Sequence, residues 1–128
     1  MTPLNLAATE DELIQYVDRW VSHLEQEDYA GAMKLIDHDP AWTPELIRKI
    51  IKSYGEENPS QRATLEAAAT DIHQRKNVDR WNDAPNGSLG EVWYDLGIDG
   101  QASDLTATFT IRERDGGLVL ILNDVHVM

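Results

Sequence analysis

Hydrophobic residues in the first half of the chain recur at three- and four-residue spacing, which predicts amphipathic helices. Thr9 and Glu12 have the form of a capping box, so the first helix should begin there and run to about Glu27. Its expected buried stripe consists of Leu13, Ile14, Val17, Trp20, Val21 and Leu24.

Two further helices are predicted by their capping residues. Asp28 can cap a shorter second helix that ends before Pro40, because the residue before a proline is pushed out of helical geometry. The third helix has Thr43 at the N-cap, Pro44 at the first helical position and Gly55 at the left-handed C-cap position. Residues 37–40 between these helices are predicted to form a turn.

The middle of the chain has a mixed pattern. A Ser60 cap is followed by four apolar residues at helical spacing: Leu65, Ala68, Ala69 and Ile72. Residues 71–74 and 77–81 also suit irregular extended chain. We expect a short helix and a loop, followed by a turn-rich junction at Pro85-Asn86-Gly87-Ser88.

Apolar and polar residues alternate in the last third of the chain, which predicts β-strands. We expect strands over residues 92–98, 105–112 and 118–127, joined by turns at residues 99–100 and 115–117. The last strand is apolar on both faces as far as Leu122, which is typical of a strand that is central or covered on both sides. A three-stranded antiparallel meander is therefore expected, with a fourth strand available from the middle of the chain.

These elements predict one α+β domain that spans all 128 residues. N-terminal helices, within about residues 9–75, are expected to pack on one face of a C-terminal antiparallel sheet. That sheet should have three or four strands within about residues 91–127.

The formal net charge of −12 narrows the classes of partner. Such a charge repels nucleic-acid phosphates and anionic membranes and attracts a basic protein, although it can also serve solubility alone. We expect a basic protein as partner, and neither nucleic acid nor membrane. The absence of cysteine excludes disulfides, and the lack of a bilayer-length or leader-like segment predicts a cytoplasmic location.

Motifs that carry chemistry are missing from the sequence. No dinucleotide, phosphate-loop, nucleophile-elbow or zinc-peptidase motif occurs. The four histidines, His23, His38, His73 and His126, have no metal-ligand spacing. We therefore expect neither a metal nor a cofactor.

The candidate acid–base residues lie on the predicted strands. Asp124 and His126 project from the same face, where the carboxylate can orient the imidazole as a general base. Alternatively, the pair simply faces water, or Asn123 and Asp124 mark a β-bulge. Asp95 and Tyr94 are further candidates, but neighbouring strand residues project from opposite faces, so Tyr94 is expected in the core.

Tryptophans are the candidate binding residues. Trp81 and Trp93 flank the turn-rich junction, and Trp42 precedes the third helix. Exposed aromatic residues are favoured anchors at protein interfaces, although small domains also bury tryptophans in their cores. The hypothesis is that at least one of the three lies at an interface.

Three C-terminal segments resemble strands in a group of small, uncharacterised bacterial α+β domains: Val92-Trp93-Tyr94-Asp95-Leu96, Ser103-Asp104-Leu105-Thr106-Ala107 and Asp124-Val125-His126-Val127. The order of helices before a curved sheet is also similar to the nuclear-transport-factor-like (NTF2-like) or cystatin-like cone fold. That resemblance implies a fold that hosts enzymes, binding modules and immunity proteins, and it carries over no catalytic motif.

Three functional hypotheses follow. The first is a non-enzymatic protein-binding or interaction module, such as an immunity-type protein that neutralises a basic partner. The alternative is a small cone-fold enzyme or ligand-binding protein that uses acid–base chemistry on a hydrophobic small molecule. A homodimer formed through the sheet is the third. The lack of catalytic motifs favours the first, so enzymatic activity is not expected.

Overall fold

The computed structural model describes residues 3–81 and 87–127, which form a mixed α+β fold. The helices are α1 (Glu10–Glu25), α2 (Tyr29–Lys34) and α3 (Pro44–Ser53). The strands are β1 (Leu4–Asn5), β2 (Asp37–His38), β3 (Ala63–Thr64), β4 (Lys76–Arg80), β5 (Ser88–Ile98), β6 (Gln101–Arg114) and β7 (Gly117–Val127). In this part of the chain, no helix is long and apolar enough to cross a membrane.

The helices begin where their capping residues predict. The Thr9 hydroxyl accepts the backbone N–H of Glu12, and the Glu12 carboxylate accepts that of Thr9, each at 3.1 Å. At the start of α3 the Thr43 hydroxyl accepts the Leu46 backbone N–H at 3.1 Å, and Gly55, just past the end of this helix, has a left-handed φ of 72°. The predicted extension of α1 to about Glu27 is too long, because the helix ends at Glu25 and Glu27 has a left-handed φ of 59°.

The strands form one curled sheet of seven strands in the order β1-β7-β6-β5-β3, with β2 also paired to β7 and β4 to β5. The predicted meander is present as β5, β6 and β7, and both predicted turns have left-handed residues, at Asp99–Gly100 and Asp115–Gly116. The prediction of three or four strands is wrong. The additional strands β1, β2 and β3 have two residues each, too few to show an alternating pattern.

Two further predictions differ from the structure. The turn predicted at residues 37–40 begins later, because residues 37–38 form β2, which runs parallel to β7, and the Trp42 N–H then donates to the Asp39 carbonyl at 3.0 Å. The predicted helix after Ser60 is replaced by β3 and irregular chain. The backbone there bonds to distant residues, since Ala68 N–H donates to the Gly100 carbonyl and Ala102 N–H to the Ala68 carbonyl, both at 2.9 Å. These hydrogen bonds pair backbone N–H and C=O groups of the segment, which in a helix would have bonded to each other.

The extra strand expected from the middle of the chain is β4, which pairs with β5. Pro85 and Asn86 of the predicted junction lie outside the described residues, whereas Gly87 has a left-handed φ of 78°. Of the two expectations for β7, the structure shows a central position for its first half, because β1 and β2 pair with it on the edge away from β6 as far as Leu122.

The core brings α1 into contact with the sheet. The rings of Trp20 and Phe109 meet edge to face with their centroids 5.2 Å apart. One cluster joins the α1 stripe to alternate strand residues, among them Val92, Tyr94, Leu96, Ala107, Phe109, Ile111, Leu118, Leu120 and Leu122. The residues between these positions project to the opposite side of the sheet, which we call the outer face.

Candidate functional site

Strand register brings the candidate residues together on the outer face. Trp93 on β5 lies opposite Thr108 on β6, which in turn lies opposite Asp124 on β7. Between these strands, Thr106 and Thr108 are only 0% and 7% exposed. The middle of this part of the outer face is therefore closed to solvent, and the candidate residues lie on the flanking strands β5 and β7.

Asp124 and His126 contact each other on β7. His126 Nδ1 lies 3.0 Å from Asp124 Oδ2, and the two side chains are 43% and 53% exposed for His126 and Asp124. A β-bulge precedes the pair, as predicted, since Thr108 faces Asp124 while Phe109 faces Leu122. The carboxylate is placed to orient the imidazole, but water reaches both groups from the open side.

Asp95 is buried on β5, opposite Thr106. Its Oδ2 accepts the backbone N–H and the Nε–H of Arg75, both at 3.0 Å, and its Oδ1 accepts the Thr106 hydroxyl at 2.7 Å. The Asp95 side chain is 2% exposed. These bonds anchor the segment before β4 to the sheet and leave little carboxylate surface for a substrate.

Tyr94 faces the core, as its position beside Asp95 predicts. Its hydroxyl donates to Asp18 Oδ1 at 2.5 Å, and Lys76 Nζ donates to the same oxygen at 3.1 Å. Burial, followed by the hydrogen bond and negative charge of Asp18, raises the pKa of Tyr94 far above its ordinary value of 10.0. Tyr94 and Asp95 therefore do not share a pocket.

Trp81 and Trp93 are both exposed, at 37% and 36%. Trp81 Nε1–H donates to Asp79 Oδ2 at 3.2 Å, and Trp93 Nε1–H donates to Glu91 Oε2 at 2.9 Å. Each tryptophan thus binds the carboxylate two residues before it, on the same face of its strand. Trp42 differs because it is half-buried and packs against the core.

Asp79 and Glu91 lie directly opposite each other in the β4–β5 ladder. Side chains at such positions have Cβ atoms roughly 4.5–5.5 Å apart, so the two carboxylates repel. Within residues 3–81 and 87–127, neither forms an ion pair with a lysine, arginine or histidine. We call Asp79, Trp81, Glu91 and Trp93 the tryptophan–carboxylate patch. It places negative charge beside exposed aromatic rings, a combination that attracts cations.

In a second acidic region of the outer face, an ion pair with Arg114 compensates the charge of Asp37. A cleft of about 290 Å³ beside β2 is lined by Asp37, His38 and Asp39 from one side. Burial favours the protonated form of Asp37, but the Arg114 guanidinium, 2.6 Å away, and the backbone N–H of His38 together outweigh burial and lower the pKa of Asp37. Among the residues that the structure describes, no group of three or more His, Asp or Glu side chains is arranged to hold a metal ion.

Sequence reasoning identified both exposed tryptophans but missed their acids. The available signal was the repeated acid-x-Trp spacing of Asp79-Arg80-Trp81 and Glu91-Val92-Trp93. The opposition of Asp79 and Glu91 depends on the register of β4 against β5, which the mixed pattern in the middle of the chain did not specify.

The comparisons with known proteins give one match. No curated protein and no solved structure matches the chain significantly. A family model described as "Domain of unknown function (DUF7668)" matches residues 21–128, which include the tryptophan–carboxylate patch and the Asp124–His126 pair. The chain therefore belongs to the DUF7668 family of domains of unknown function.

Proposed function

We propose that the chain is a non-enzymatic protein-binding module that recognises a basic partner through the tryptophan–carboxylate patch. The observation that carries this proposal is the direct opposition of Asp79 and Glu91, each hydrogen-bonded to an exposed tryptophan. A partner cation placed over this pair relieves the repulsion between the carboxylates and contacts the aromatic rings at the same time.

Arginine suits the patch better than lysine. Its planar guanidinium stacks on aromatic rings and bonds carboxylates through two parallel N–H groups, whereas the lysine ammonium is a strongly hydrated point charge. The net charge of −12 adds long-range attraction, which speeds the encounter with a basic protein. An immunity-type protein, which neutralises a basic partner by covering its surface, is one form of this function, and that form stays a prediction.

The packing of the core supports a binding role over the enzyme alternative. The curled sheet and helices suit a cone fold of the nuclear-transport-factor-like or cystatin-like kind, whose enzymes need an internal pocket. Trp20, Tyr94 and Phe109 are fully buried and fill the space between α1 and the sheet. Asp124 and His126 are about half exposed on the other side of the sheet, so this pair lies outside the space that a cone-fold enzyme uses as its internal pocket.

Fluorescence anisotropy of a labelled, amidated hexa-arginine peptide tests this proposal with a defined probe. The double variant Asp79→Asn/Glu91→Gln should bind the peptide at least about tenfold more weakly than the wild-type protein, a loss of about 1.4 kcal/mol. The matched control is Glu56→Gln/Glu57→Gln, which removes the same charge from an exposed segment away from the patch.

Equal weakening in the two double variants would attribute binding to net charge alone and overturn the proposal. So would an affinity that does not change with salt, because exposed charges are screened within about 8–10 Å at ordinary ionic strength. A hexa-lysine peptide should bind less tightly than hexa-arginine, which tests the contribution of the two tryptophans.

A further inference from the structure

A cleft with positive side chains lies between the N-terminal segment, α1 and the end of α2. Its volume of about 540 Å³ falls within the range of roughly 300–1,000 Å³ that small-ligand sites occupy. Pro3, Leu4 and Leu35 give it an apolar wall, and Arg19 and Lys34 give it two cations. The cleft thus combines an apolar surface with positive charge in a strongly acidic protein.

Arg19 and Lys34 are two of the five basic residues that form no ion pair within residues 3–81 and 87–127, the others being Lys49, Arg80 and Arg112. The chain has 23 Asp and Glu against 11 Lys and Arg, yet in its described part neither Arg19 nor Lys34 forms an ion pair. Six other basic residues do have a carboxylate partner: Arg48, Lys52, Arg62, Arg75, Lys76 and Arg114. What sets Arg19 and Lys34 apart is that both line the same cleft, with no carboxylate within ion-pair distance of either in the described part of the chain.

The wall of the cleft is held by specific contacts. The Arg19 guanidinium carbon lies 5.5 Å from the centroid of the Tyr16 ring, a cation–π contact that orients the charge. The Tyr16 hydroxyl donates a hydrogen bond to the Leu35 carbonyl, which links α1 to the end of α2. The position of Arg19 is therefore tied to the packing of these two helices.

The one acid that lines the cleft has another role. Glu12 accepts the Thr9 backbone N–H at 3.1 Å in the capping box of α1. Its negative charge also lies in the first turn of the helix, where the positive end of the helix dipole stabilises it. Glu12 therefore caps the helix, and Arg19 and Lys34 are the charged groups of the cleft that can bind a ligand.

We propose that this cleft binds a carboxylate carried on an apolar body. Arg19 and Lys34 take the carboxylate, and Pro3, Leu4 and Leu35 cover the apolar part. Most of the lining precedes residue 21, where the family match begins, so the family model does not account for this site. The site does not depend on the tryptophan–carboxylate patch, whose charge is of the opposite sign.

Titration of ¹⁵N-labelled protein with hexanoate tests the proposal. Hexanoate should produce saturable shifts at the amides of the lining residues, whereas hexanol, which lacks the charge, and acetate, which lacks the apolar body, should bind at least about tenfold more weakly. Arg19→Gln and Lys34→Gln should each weaken hexanoate binding at least about fivefold. Both side chains are exposed, and the control Lys49→Gln, also exposed, should leave the affinity unchanged.

A tetrapeptide Ala-Ala-Leu-Leu distinguishes a small organic acid from a peptide C-terminus. Tighter binding of the free-acid peptide than of hexanoate, lost on amidation, identifies a peptide carboxylate as the ligand. Binding of hexanoate but not of the peptide identifies a small acid. The proposal is overturned if neither probe gives saturable shifts at the cleft, or if the Arg19→Gln/Lys34→Gln variant binds as the wild-type protein does.

Discussion

Asp79 and Glu91 lie directly opposite each other in the β4–β5 ladder, and the carboxylate of each accepts a hydrogen bond from the indole two residues later. Like charges in this position destabilise an antiparallel strand pair, and the indole N–H groups offset only part of that cost. The free protein therefore keeps a local repulsion that a bound cation would remove.

Removal of one of these charges should stabilise the free protein. Asp79→Asn keeps an oxygen acceptor for Trp81 and should raise the free energy of unfolding by about 0.2–1 kcal/mol. Urea denaturation measures this difference. Glu57→Gln, in an exposed segment, is the control and should change stability by less than the Asp79 variant. A decrease in the stability of Asp79→Asn would show that the two carboxylates do not repel.

Tyr94 should make the fold sensitive to alkaline pH. Its folded-state pKa is raised above the ordinary value of 10.0 by burial and by Asp18, so the folded state holds the phenolic proton more tightly than the unfolded state. Its stabilising contribution is therefore fully present below the unfolded pKa of about 10 and is lost as pH rises above that value.

Urea denaturation at a series of pH values between about 8 and 11 measures this loss. Stability should fall over the upper part of this range in the wild-type protein and fall less steeply in Tyr94→Phe. Some slope should remain, because burial also raises the pKa of Tyr16 and of Tyr54. Identical pH dependence in the wild-type protein and Tyr94→Phe would contradict this account of Tyr94.

Asp95 and Asp124 are the two carboxylates that the sequence suggested as catalytic candidates. Substitutions of these residues should differ sharply in their effect on the free energy of unfolding. Asp95→Asn replaces one buried acceptor oxygen with an N–H₂ group that faces donors from Arg75 or Thr106, and should cost about 1–3 kcal/mol of unfolding free energy. Asp124→Asn, about half exposed, should change stability by no more than about 0.5 kcal/mol. Chemical denaturation compares the two, and a neutral Asp95→Asn would contradict the anchoring role of Asp95.

Capping and turn residues in the sequence predicted where helices start and where strands turn, because contacts within a few residues determine these features. Thr9 with Glu12 and Thr43 with Pro44 marked the starts of α1 and α3, since capping residues satisfy free N–H groups within a few residues. The turn at Asp99–Gly100 was predictable because both residues adopt a positive φ that few other residues tolerate.

Long-range pairing explains what the sequence pattern missed. Leu65 and Ala68 have helical spacing, but both are exposed, and the segment instead bonds through its backbone to the β5–β6 turn and through Leu65 N–H to Glu25. The same limit applies to the candidate site. The alternation of apolar residues around Trp93 placed this tryptophan away from the core, whereas the pairing of Asp79 with Glu91 arises only from strand register.

The four tryptophans allow the most direct test of the proposed binding surface, because each indole N–H gives its own ¹H–¹⁵N resonance. During titration with hexa-arginine, the resonances of Trp81 and Trp93 should shift saturably, while those of Trp20, buried in the core, and Trp42, packed against it, should stay in place. Binding of the peptide without shifts at Trp81 and Trp93 would contradict the assignment of this surface to a basic partner.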